Sequence, residues 1–140
     1  MAVAKMSVAE LEKFLHAEFP QAFSDGDIGI ESADGVSCLL RQRYSERMLR
    51  PGGMISGPTL MALAGFAMYV VLLSAIGPVG LAVTTNLNFL RKGTPGQDVL
   101  AAARLLKLGK RLAVGEVNLL SGISPEPIAH VTATYSIPNT

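Results

Sequence analysis

The chain has 140 residues, of which 49% are hydrophobic and 16% charged. That supplies apolar side chains for one core and too few solvating ones for a disordered module. Two large domains are excluded at this length, and a net charge of +1 gives no field that would argue for nucleic acid or an anionic membrane as partner.

A lone Cys38 cannot close an intramolecular disulfide, which points to a reducing compartment and a cytoplasmic protein. The opening MAVAKMSVAELEKF sets charges where a signal peptide needs an uninterrupted apolar run, so no cleaved leader is expected. Ser7 followed by Glu10 reads as a capping box, and Val8, Leu11, Phe14 and Leu15 recur at helical spacing, predicting a helix over 8–17. Pro20 and Ser24-Asp25-Gly26-Asp27 end it and open a turn. Alternation around Asp34-Gly35 then predicts a hairpin, 27–32 against 36–44. Residues 45–55, with Arg47, Arg50, Pro51, Gly52 and Gly53, read as a positively charged loop.

From Ser56 the chain is apolar on every face as far as Gly77-Pro78, a helix with Ser56 or Gly57 as its cap and Pro58 in its first turn. The length approaches that of a bilayer span, but a second span and an aromatic belt are missing, and soluble-looking strands follow. Such a helix must then be enclosed by protein, and the rest of the chain offers a sheet to enclose it. Strands are predicted over 80–91, 97–108, 111–121 and 127–137, joined at hairpin distances and so mainly antiparallel. In the first, Val83, Thr85, Leu87 and Phe89 share one face, while Ala82, Thr84, Asn86, Asn88 and Leu90 share the other.

A strand pair, a long buried helix and four antiparallel strands form an α+β order. Three stretches in it, Leu63–Ala67, Val83–Arg91 and Leu108–Val114, resemble the phenylacetic-acid-degradation (PaaI-like) type of hotdog-fold acyl-coenzyme A thioesterases. The resemblance covers 27–138 and implies one hotdog domain over 1–140, with 1–22 as an N-terminal helical segment. It further implies a homodimer or homotetramer whose site is shared between subunits, coenzyme A entering only as part of the substrate, and no separate cofactor.

In that family a carboxylate on the central helix activates water or attacks the thioester, and backbone N–H groups at the helix start polarise the carbonyl. Alignment on Leu-Ala-x-x-Ala sets Ser56-Gly57-Pro58 at the usual His-Gly-Gly and Gly65 at the usual Asp. Alignment on Pro51-Gly52-Gly53 sets Leu60 there instead. Neither register supplies a carboxylate, and none occurs from Met48 to Leu90. A mid-helix glycine costs about 1 kcal/mol relative to alanine, so Gly65 marks either close packing against a strand or a lost Asp.

The resemblance assigns the remaining roles by position. Gly57, Thr59 and Leu60 could offer amides to the oxyanion, whereas Pro58 has none. Thr84 lies near a hydroxyl that assists the attacking water in relatives. Arg50 stands where many have an Asn near the thioester, and Ser56, Asn86 and Asn88 are candidate substrate contacts. Arg91, Lys92, Lys110 and Arg111 form two clusters suited to the coenzyme's phosphates. His16 and His130 have no partner at metal-ligand spacing, so no metal is expected. The same absence disfavours the hotdog hydratases, while Asp98, Glu116 and Glu126 read as surface charges. Cys38 reads as an apolar packer. A non-catalytic acyl-coenzyme A binding module is the alternative reading.

Overall fold

In the computed structural model, which describes residues 5–23, 25–77 and 82–138, the first helix, α1, runs Val8–Glu18. The capping box closes as its sequence requires: the Glu10 N–H donates to Ser7 Oγ at 3.2 Å and the Ser7 N–H to Glu10 Oε1 at 2.9 Å. Leu11 and Leu15, one turn apart, are fully buried. Pro20 opens a one-turn helix, α2 (Pro20–Phe23), rather than a simple stop. Proline is tolerated in a first turn, where its missing N–H would have no partner. Ser24, Pro78, Gly80 and Leu81, which carried part of a turn, a breaker and a strand start, lie outside the described residues.

The hairpin pairs β1 (Ile28–Ala33) with β2 (Ser37–Gln42), with a bulge between Ile30 and Ser32. Asp34 fixes its turn by accepting from the Val36 and Ser37 amides at 2.9 and 2.7 Å. The predicted loop is more ordered than its composition suggested. A 3-10 turn, Glu46–Met48, leads into a two-strand ribbon, β3 (Leu49–Arg50) with β4 (Met54–Ile55). Gly52 and Gly53, at φ +98° and +76°, make the reversal that other residues resist.

The long helix α3 spans Gly57–Ile76, and Ser56 is its N-cap. It stops where Gly77, at φ +85°, returns its N–H to Leu73 O. Strands β5 (Ala82–Phe89), β6 (Val99–Leu108), β7 (Leu112–Ser121) and β8 (Pro127–Ser136) follow. The six-stranded sheet has the order β1-β2-β6-β7-β8-β5, every neighbouring pair antiparallel. It curls around α3 in the hotdog arrangement.

Alpha3 is long and apolar enough to cross a bilayer, yet Leu63, Met68, Val70, Val71, Leu72 and Leu73 are at most 1% exposed inside this domain. Each such burial stabilises the fold by about 1.5–3 kcal/mol before chain entropy is counted. Cys38 joins β2 to α3 by donating its S–H to Ala67 O at 3.3 Å. Burial pushes its thiol up to about 12, so it is a packing residue rather than a nucleophile. The N-terminal helices dock through aromatic edges: Phe19 meets Phe66 at 5.5 Å and Tyr69 at 6.3 Å, and Phe23 meets Phe66 at 5.6 Å between centroids. One strip of α3 stays uncovered, with Pro58, Met61 and Ala62 exposed and Gly65 half-buried.

Candidate active site

The start of α3 shows which donors remain for chemistry. The Ser56 N–H donates to Met48 O at 2.7 Å, and the Leu60 N–H to Ser56 O at 3.3 Å. The Thr59 N–H donates to Ser56 Oγ at 3.2 Å, and the Thr59 hydroxyl shares a 2.8 Å bond with the same oxygen. Ser56 and Thr59 are therefore committed to the cap, and Thr59 can polarise nothing without uncapping the helix. Pro58 has no N–H. Gly57 alone keeps a free amide in this first turn, among the described residues.

That amide borders a groove of about 430 Å³ lined by Arg50, Met54, Leu60, Phe89, Arg91 and Lys92, among others. The strand ribbon supplies one wall. The Arg50 guanidinium folds back to donate to Pro51 O at 2.9 Å and to Met54 Sδ at 3.1 Å. The end of β5 and the loop after it supply the other, where Arg91 donates to Pro127 O and meets Glu126 at 3.6 Å. Phe89 closes the groove on Gly57, because a Cβ at Gly57 would lie 2.9 Å from the ring's Cζ. A larger residue at 57 would have to push the exposed Phe89 ring aside.

The structure thus brings together Gly57, Arg50, Arg91 and Lys92. Ser56 and Thr59 stand beside Gly57 but are tied up in the cap, and the remaining expected residues lie apart. Antiparallel pairing sets Thr84, Asn86 and Asn88 opposite Thr134, Thr132 and His130, whereas Thr85, Leu87 and Phe89 oppose the buried Ala133, Val131 and Ala129. Directly paired residues share a face, so Thr84, Asn86 and Asn88 point away from α3 and cannot orient a water at its start within this chain. Lys110 and Arg111 lie at the other end of the sheet. Seven residues of β5 separate the ends, about 23 Å at strand rise.

Gly65 does not support the packing explanation: a Cβ there would meet nothing within 4 Å. The position lies on the uncovered strip of α3, eight residues beyond Gly57, or about 12 Å along the axis. On the opposite flank of that strip a second cavity, about 370 Å³, is lined by Phe19, Asp25, Asp27, Arg47, Thr59 and Phe66, among others. Its Asp27 pairs with Arg47 at 3.3 Å.

Three carboxylates read as surface charges are in fact engaged. Asp98 accepts from the Tyr44 N–H at 2.8 Å and from Arg41 at 3.2 Å, and Glu126 is the one facing Arg91. Glu116 accepts from Arg104 Nε at 2.6 Å and bonds His130 Nε2 at 2.9 Å. Those two bonds, His130 first, hold the Glu116 carboxyl below its ordinary value. A close His–carboxylate pair therefore exists, but on the sheet face turned from α3. No group of three or more metal-ligating side chains occurs among the described residues.

The model of the thioesterase superfamily matches residues 52–127. A candidate thioesterase from Silicibacter sp. TM1040 is 38% identical, over 97% of this chain and 94% of its own, with a TM-score of 0.88. The Escherichia coli PaaI protein of the phenylacetic acid degradation operon is 21% identical, over 93% and 97%, at TM-score 0.77. A Streptococcus mutans UA159 protein bound to acetyl-CoA is 17% identical, over 81% and 90%, at 0.74. These last two likenesses are of fold. Comparison with curated proteins finds no match. With a groove at the helix start, a sheet wrapped around that helix and a family match over more than half its length, the chain belongs to the thioesterase superfamily.

Proposed function

We propose that the protein is an acyl-coenzyme A thioester hydrolase whose helix carboxylate is replaced by Gly65, so that its turnover is low. The observation that carries this reading is the groove, where the one free amide of the α3 start stands beside Arg50, Arg91 and Lys92. A helix N-terminus favours the developing oxyanion of a thioester carbonyl, and the cations suit a ligand rich in phosphate. The acetyl-CoA held by the Streptococcus mutans relative agrees with that ligand.

The reading includes a homodimer. About 12 Å of helix separates Gly57 from position 65, too far for one thioester to meet both. A second copy is needed for a carbonyl at one helix start to lie beside position 65 of the other. Strand β5 is a sheet edge with Val83, Phe89 and Leu90 at least half exposed, which offers a place for that copy. Antiparallel pairing of two β5 edges would also bring Lys110 and Arg111 of one copy toward Arg91 and Lys92 of the other.

The test is equilibrium binding of coenzyme A and of short, long and aromatic acyl-coenzyme A, followed by thiol release from each. Binding with slow release is the expected result. Absence of any carboxylate between Met48 and Leu90 favours a second reading, a binding module, which thioester bound and returned intact would select. Failure of every thioester and of coenzyme A to bind would refute both.

A further inference from the structure

Phe89 is 59% exposed, so its ring is not held by the core. Yet the ring tip rests on Gly57, with Cζ 2.9 Å and Cε1 3.4 Å from where a Cβ would stand. The free amide of the α3 start is the amide of that same Gly57. An oxygen accepting from it sits about 3 Å from the nitrogen, which places the carbon bearing it in the groove that Gly57 and the Phe89 ring both line. Met54 also lines the groove, its sulfur held by Arg50 at 3.1 Å.

We infer that Phe89 is a specificity-determining residue that selects acyl groups unbranched at the carbon next to the carbonyl. The inference rests on the thioesterase reading of this groove. One thioester substituent leads to the coenzyme, and the other is the acyl α-carbon. A methyl added at that carbon competes for space with the Phe89 ring, which lines the groove at its Gly57 end. Leu60, also lining the groove, is 4% exposed and cannot retreat.

The experiment compares butanoyl-coenzyme A with its isomer 2-methylpropanoyl-coenzyme A, equal in atoms and differing only in branching. Dissociation constants are measured by calorimetry on the protein as it is and on Phe89→Ala and Phe89→Leu, with coenzyme A as control. The parent is expected to prefer the straight isomer by roughly 10-fold or more, within the range one misplaced methylene produces in a tight pocket. Phe89→Ala should bring the two isomers within about threefold, chiefly by improving the branched one, and Phe89→Leu should fall between. An isomer ratio near one in the parent, or a ratio unchanged in both variants, overturns the inference while leaving the thioesterase reading intact. Failure of the parent to bind either thioester or coenzyme A overturns both. Should Phe89→Ala fail to fold, Phe89→Leu alone decides: an unchanged ratio refutes, a reduced one supports.

Discussion

Gly65→Asp places a carboxylate on the uncovered strip of α3, where the helix has room for it. A Cβ at 65 has no neighbour within 4 Å, so there is no overpacking cost. Replacing a helix-interior glycine with alanine should stabilise the fold by about 1 kcal/mol, and with aspartate by only a few tenths. The helix should therefore tolerate the change, and Gly65→Ala separates helix propensity from chemistry. A positioned acid or base typically contributes 10²- to 10⁴-fold, equivalent to about 3–5 kcal/mol of barrier. We expect Gly65→Asp to raise the rate of thiol release from its preferred acyl-coenzyme A by that factor, with Gly65→Ala no faster than the parent. Equal rates in parent and Gly65→Asp, with both folded and binding, would refute the reasoning. The chemistry would then have to be sought elsewhere, first in the second cavity, where Asp25 and Asp27 stand with Thr59 and Phe66.

Pro58→Gly in the Gly65→Asp background adds a second amide beside that of Gly57, and removal of one such donor elsewhere costs 10²- to 10³-fold. A rise of at least tenfold in kcat is expected, and an unchanged kcat would exclude this helix start as the oxyanion site. Ser56→Ala should lower stability by about 1 kcal/mol in urea unfolding, since its side-chain oxygen holds the Thr59 amide. Glu116 has its folded pKa lowered by His130 and Arg104, so its contribution is full above the unfolded value near 4.5 and is lost as pH falls through the lower folded value. Unfolding free energies of Glu116→Gln should accordingly fall less steeply between about pH 5 and pH 3 than those of the parent.

Much of the fold was legible because the signals are local. The Ser7/Glu10 box, the α3 start with its cap at Ser56 or Gly57 and the alternation of β6 to β8 each depend on residues within a few positions of one another. The enclosure of α3 was legible for a related reason: a helix without a polar face has to be covered by something. The small ribbon was not, because two-residue strands around Gly52-Gly53 carry no periodicity. Glu116 with His130 and Arg104 was equally hidden, since it is made by register across three strands and residues 12 and 14 positions apart.

The facing of Thr84, Asn86 and Asn88 was not legible for a different reason. Alternation divides a strand into two faces but does not say which looks inward, and an edge strand with apolar residues on both faces withholds the answer. Val83 and Leu90, on opposite faces by alternation, are both at least half exposed. The register with β8 decides, through Val131 and Ala133 beneath Leu87 and Thr85. The donors at the helix start were miscounted for the same kind of reason. The sequence leaves the cap open between Ser56 and Gly57, and the fold shows Ser56 taking the Thr59 amide. Capping and oxyanion binding compete for the same few N–H groups. In this chain Ser56 settles that competition for stability at Thr59, Pro58 removes one more donor, and Gly65 withholds the carboxylate. All three act in one direction: they leave a well-capped helix with one free amide in its first turn and no carboxylate along its length.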